Sequence, residues 1–88
     1  MHGVILYVED EAELRHDLCA DLEQEGYKVH GAANGPEALD KIATLRPDLV
    51  LCDIQLPGLS GHDILERVRS GTDESAALPF ILLTAHND

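Results

Sequence analysis

Three short, uninterrupted apolar runs constrain this chain more than any other feature. Val4-Ile5-Leu6-Tyr7-Val8, Leu49-Val50-Leu51-Cys52 and Phe80-Ile81-Leu82-Leu83 each hold four or five apolar residues in a row. A strand with one face in water alternates apolar and polar residues, so a run without alternation reads as a strand covered on both faces. Between the runs the period changes. Leu14, Leu18 and Leu22 recur at i, i+4 and i+8, with Arg15, Asp21 and Glu25 off that face, which predicts a helix over residues 12–25 stopped by Gly26. Residues 27–33 read as a second, weaker strand. Asn34-Gly35-Pro36 then joins a cap to a first-turn proline, Ala38, Leu39, Ile42 and Ala43 form an apolar stripe, and Arg46-Pro47 ends this helix. Ser60 and Asp63 are spaced as a capping pair for a third helix through about residue 69, with Ile64, Leu65 and Val68 facing inward. Residues 71–77 read as a polar loop, and 79–84 as a fourth strand. The order βαβαβαβ predicts an α/β fold: a parallel sheet with right-handed crossovers and helices on both faces.

Composition narrows what such a fold does. The 88 residues are 44% hydrophobic and 26% charged, enough for one small domain and too apolar for a disordered chain. No apolar run exceeds five residues, against about 20 for a membrane span, and no basic stretch leads into a long apolar one. The expectation is a soluble, cytoplasmic protein. A net charge of −11 repels nucleic-acid phosphates and argues against direct DNA or RNA binding by these residues. Cys19 and Cys52 lack metal-ligand spacing and read as reduced core residues. His2, His16, His30, His62 and His86 are scattered, with no pair at ligand spacing. Gly58 and Gly61 read as turn formers, since no phosphate-binding glycine motif is present.

The chemistry should lie at the strand ends. In an open parallel α/β sheet, ligands bind beyond the carboxyl ends of the strands. Glu9 and Asp10 follow the first strand, Asp53 follows the third, and Thr84 ends the fourth. If the first and third strands are neighbours, three carboxylates converge and repel one another unless a cation neutralises them. All-oxygen ligands select Mg²⁺ or Mn²⁺ over zinc, and Mg²⁺ usually leaves positions for water and phosphate. Acidic residues after a strand also favour a helix N-terminus, which accounts for Glu9, Asp10 and Glu11 taken alone. It does not account for Asp53, which follows four apolar residues and precedes no clear helix start. Thr84 favours a strand anyway, but beside an acidic cluster its hydroxyl is placed to donate to a phosphate oxygen.

These residues resemble the receiver domain of bacterial two-component response regulators. The matching stretches are residues 5–11, residues 34–39, the run Pro47-Asp48-Leu49-Val50-Leu51-Cys52-Asp53-Ile54-Gln55-Leu56-Pro57-Gly58-Leu59-Ser60-Gly61, and residues 79–85. They follow in the family's order along nearly the whole chain. The resemblance implies a flavodoxin-like, doubly wound parallel sheet with strand order 2-1-3-4, the family's fifth strand being missing from this chain. It also implies roles. Asp53 resembles the phosphoacceptor. Glu9 and Asp10 resemble the acidic pair that holds Mg²⁺ together with Asp53 and the backbone carbonyl of Gln55. Thr84 resembles the switch hydroxyl, and Tyr7 carries no role.

The expected function is therefore a phosphorylation switch. A sensor histidine kinase would supply the phosphoryl group, and the altered surface would act on an output domain or partner protein. The chain is expected to represent the N-terminal part of the domain over residues 1–88. The family's last strand, last two helices and phosphate-contacting lysine lie beyond its end, and neither Lys28 nor Lys41 sits in the matching element. The fourth strand would then be an apolar edge, inviting dimerisation or association. Two other readings stand beside the switch. A Mg²⁺-dependent phosphohydrolase with an Asp nucleophile, of the haloacid-dehalogenase type, would want a second Asp where Gln55 stands. A receiver-like binding module that is never phosphorylated would not need the complete acidic triad.

Overall fold

A computed structural model describes residues 3–71 and 74–83. Four strands, β1 (Val4–Val8), β2 (Lys28–Ala32), β3 (Leu49–Asp53) and β4 (Phe80–Leu83), alternate with three helices, α1 (Ala12–Gln24), α2 (Gly35–Leu45) and α3 (Gly61–Arg69). All strand pairs are parallel and the sheet order is β2-β1-β3-β4, the doubly wound α/β arrangement expected. β1 runs from β2 on one side to β3 on the other, with Val8 level with both Ala32 and Cys52. Asp48 aligns the central pair at its opposite end: its carboxylate accepts from the Val4 amide at 2.8 Å and its own amide donates to the Val4 carbonyl at 2.7 Å.

The helix starts follow from their caps. The Asn34 side chain accepts from the Glu37 amide at 2.9 Å, with Pro36 in the first turn. Ser60 and Asp63 form the full reciprocal capping box before α3. Gly26 turns the chain out of α1 with a φ of 102°, a conformation that costs glycine little.

The first crossover moves in one direction along the sheet and the next two in the other. Right-handed connections therefore put α1 on one face and both α2 and α3 on the opposite face. The two-helix face makes the main core: Leu6, Val8, Val50 and Cys52 from the sheet meet Ala38 and Ile42 of α2 and Ile64 and Val68 of α3. On the other face Ile5 and Tyr7 are buried, yet no residue of α1 is fully buried.

Several local expectations are corrected by this packing. Leu14 is 45% exposed although it lies on the apolar stripe, because among the described residues no second helix packs beside α1. Ile81 of β4 is 48% exposed for the same reason, so this strand is not covered on both faces. Ala43 is exposed, since it sits about 100° around the helix from Ile42. Cys52 is a buried free thiol as expected, whereas free Cys19 is only partly buried. Residues 71–77 are not wholly loop: Glu74–Ala77 form a 3₁₀ turn. Arg69 holds that turn from the end of α3, donating to the carbonyls of Ala76 at 3.0 Å and Leu78 at 2.6 Å. Gly61 is not a turn residue but the first residue of α3.

Candidate functional site

The first residue after β1 and the last of β3 stand side by side at the carboxyl edge of the sheet, because Val8 and Cys52 are in register. The sheet thus brings together residues far apart in sequence. Glu9, Asp10 and Asp53 each offer a carboxylate oxygen, and these oxygens all lie within 4.8 Å of one another. This is also the point where the chain leaves β1 and β3 for helices on opposite faces, the usual ligand position in such folds.

Each side chain is held differently. Asp53 is 8% exposed, and its Oδ1 accepts from the Gln55 amide at 3.2 Å. Gln55 lies in the exposed turn after β3, with its peptide against the Asp53 carboxylate. Asp10 is exposed. Glu9 is 6% exposed, and both its carboxylate oxygens have partners: the Tyr7 hydroxyl donates to Oε1 at 3.4 Å and the Glu11 amide to Oε2 at 3.0 Å. Burial pushes the Glu9 carboxyl above its ordinary value; the Glu11 amide works against this, and the neighbouring Asp10 and Asp53 add to it. Burial, followed by the Glu9 charge, pushes the Tyr7 hydroxyl up to about 12. Burial and then the Asp53 charge do the same to the Cys52 thiol, also to about 12. In all three groups burial is the leading cause and neighbouring negative charge adds to it.

The backbone turn behind Asp53 depends on Gly61. A Cβ built there would lie 2.5 Å from the Asp53 carbonyl oxygen and 2.9 Å from the Ile54 Cα, contacts that no side chain tolerates. The Gly61 amide donates to the Ile54 carbonyl at 2.9 Å, closing the turn after β3. Among the described residues, no Lys, Arg or His forms an ion pair with any of the three carboxylates, and Lys41–Glu37 is the ion pair found. Hard oxygen donors, close together and unneutralised by protein cations, fit a small divalent cation. Thr84, the remaining expected site residue, lies outside the described residues.

Sequence reasoning passed over two residues at this site. Tyr7 precedes Glu9 by two, so in a strand both side chains leave on the same side, and this spacing is the signal that points to it. In the sequence Arg15 marks only the side of α1 away from its apolar face. Its Nη1 donates to the Glu9 carbonyl at 2.7 Å, a contact with no sequence signature.

The sequence matches the response regulator receiver domain over residues 5–88. The chain belongs to that family. This receiver domain is 40% identical over 84 residues to the transcriptional regulatory protein AfsQ1 of Streptomyces coelicolor, covering 96% of this chain and 36% of that protein. It is 40% identical over 88 residues to sporulation initiation phosphotransferase F of Bacillus subtilis, covering 100% of this chain and 68% of that one. Among solved structures it is similar to the response regulator TrrA of Thermotoga maritima in complex with Mg²⁺-BeF, with a TM-score of 0.86 and 40% identity over 98% of this chain and 71% of that one. The receiver domain therefore spans about a third of the length of relatives such as AfsQ1. No helix among its described residues is long and apolar enough to cross a membrane.

Proposed function

We propose that this receiver domain accepts a phosphoryl group on Asp53 from a sensor histidine kinase in the cytoplasm, uses Mg²⁺ to do so, and passes the change to an output domain or partner protein. The observation that carries this reading is the meeting of Glu9, Asp10 and Asp53 oxygens within 4.8 Å at the carboxyl edge of the sheet. Glu9, Asp10, Asp53 and the Gln55 backbone carbonyl are assigned as the metal-holding groups. The bound cation would offset negative charge on the incoming phosphoryl group. A carboxylate oxygen of Asp53 attacks the phosphorus in line while the bond from phosphorus to the donor histidine nitrogen breaks; that ring, protonated on its other nitrogen, takes the electron pair and leaves as neutral imidazole, and Asp53 becomes an acyl phosphate.

The pocket suits that step. The Gln55 amide orients the Asp53 carboxylate, and the buried flanks of β1 and β3 fix its approach. Cys52, although adjacent in sequence, is fully buried and protonated, so it does not compete as a nucleophile. The new phosphoryl group adds dianionic charge at the sheet edge. Thr84 is assigned as the hydroxyl that answers this charge and shifts a two-state equilibrium of the surrounding surface. The complex of TrrA with Mg²⁺-BeF supports a metal and a phosphoryl mimic at a related fold.

The test is incubation of the intact protein with radiolabelled acetyl phosphate and Mg²⁺. Label should reach at most one phosphoryl group per chain, should be lost in mild alkali as an acyl phosphate is, and should vanish in Asp53→Asn. Labelling of Asp53→Asn to the wild-type level overturns the assignment.

A further inference from the structure

We propose that Arg15 is the positioning residue of the acidic pocket: laid across Gly31, it grips the Glu9 carbonyl and so fixes the turn that presents Glu9 and Asp10. The inference rests on the metal-binding reading above and adds to it a residue outside the ligand set.

The geometry is specific. Glu9 leaves the β1 ladder with its amide still paired to the Ala32 carbonyl at 2.9 Å. Its own carbonyl has passed the end of the ladder. Among the described residues the donor to that carbonyl is the Arg15 guanidinium, at 2.7 Å, a short charge-assisted bond. Arg15 reaches it from α1 by lying flat on β2. A Cβ built at Gly31 would lie 2.9 Å from the Arg15 Cδ, 3.1 Å from Cγ and 3.4 Å from Nε. The arginine stem therefore occupies the space a side chain at position 31 would fill. This also explains why Arg15 is half-buried on a helix with no fully buried residue.

The choice of partner has a chemical consequence. A cation that paired with the carboxylates would compete with a metal for their oxygens. Arg15 bonds to the backbone instead, so it restrains the turn against mutual repulsion of the three carboxylates while leaving their oxygens available. Outer groups that orient metal ligands in this way typically govern affinity by about 10- to 100-fold.

The experiment measures Mg²⁺ affinity by titration calorimetry on the intact protein, with urea unfolding in metal-free buffer alongside. Arg15→Met keeps a stem over Gly31 and removes the donors. It is expected to weaken Mg²⁺ binding by about tenfold with little change in the metal-free unfolding midpoint. Arg15→Lys restores a cationic donor and should recover most of the loss. Gly31→Ala should weaken Mg²⁺ binding when Arg15 is present and have no further effect in Arg15→Ala, since the two act through one contact. Mg²⁺ affinity in Arg15→Met within twofold of wild type, with Asp10→Asn clearly impaired, overturns the role of Arg15 and leaves the metal site standing. Absence of Mg²⁺ binding in the wild type overturns the metal reading itself, and this proposal with it. A purely structural arginine would lower the metal-free midpoint and leave the affinity unmoved.

Discussion

At the scale of single residues, the acidic pocket is a place where folding brings like charges together. The unfolded chain keeps Glu9 and Asp53 more than forty positions apart; the native sheet holds their oxygens within 4.8 Å. Two unit charges at such a separation repel by about 1 kcal/mol even at the dielectric constant of water. Replacing one carboxylate by its amide should therefore stabilise the metal-free protein. Asp10→Asn is the cleanest case because Asp10 is exposed and its loss leaves no buried group unpartnered. A gain on the order of 1 kcal/mol in urea unfolding without metal is expected, together with loss of the stabilisation that Mg²⁺ confers on the wild type. A destabilised Asp10→Asn would show that the three charges do not oppose one another. Glu9 is a different case: with the Tyr7 hydroxyl and the Glu11 amide on its oxygens, removing its charge also disturbs two hydrogen bonds.

At the scale of elements, the outer edge of β2 shows how a strand end is kept closed. In a parallel ladder alternate residues turn their amide and carbonyl outward, and here these fall at Gly31 and Ala33. The Lys41 ammonium donates to the Gly31 carbonyl at 2.6 Å, the Glu37 carboxylate accepts from the Ala33 amide at 2.9 Å, and the two side chains pair at 3.0 Å. The Ala33 amide, then Lys41, holds the Glu37 carboxyl below its ordinary value of 4.5. A lowered native value means that the contribution is complete above 4.5 and is lost as pH falls through the native value. Glu37→Gln should therefore lie below wild type near neutrality, by no more than about 1 kcal/mol because the pair is solvent-screened. The gap should close on acidification, and parallel stability curves down to about pH 3 would refute the clamp. The reach of Glu37 and Lys41 to β2 was not legible in the sequence, whereas their i,i+4 spacing and the elements were. Asn34, Pro36, Ser60 and Asp63 announce where α2 and α3 begin because capping is local chemistry. The partly exposed stripe of α1 and the 3₁₀ turn held by Arg69 depend on what packs nearby, which no local pattern encodes.

At the scale of the molecule, the sheet is unequally covered. α2 and α3 seal one face, while the other has α1 alone among the described residues, leaving Leu14 and Ile81 nearly half exposed. Ile81 lies on β4, at the end of the strand order, so among the described residues exposed apolar surface and open backbone coincide. This 88-residue chain is expected to self-associate in sedimentation velocity, and Ile81→Lys should shift it toward monomer. A single compact monomer at all concentrations would contradict the expectation. The α/β class and the placing of Glu9, Asp10 and Asp53 at carboxyl ends of strands followed from apolar runs ending in acidic residues, because strand ends and ligand positions obey one topological rule. The neighbouring of β1 and β3 did not follow from periodicity, which says nothing about strand order; family resemblance supplied it.

One consequence of the β1–β3 register reaches beyond stability. Side chains alternate along β3, so the interlock that sends Val50 and Cys52 inward also fixes which residue arrives at the rim beside Glu9. A slip of one position would offer a thiol or an isoleucine where a carboxylate is needed. Greasy packing in the middle of the strand thus acts as the gauge that aims its reactive tip.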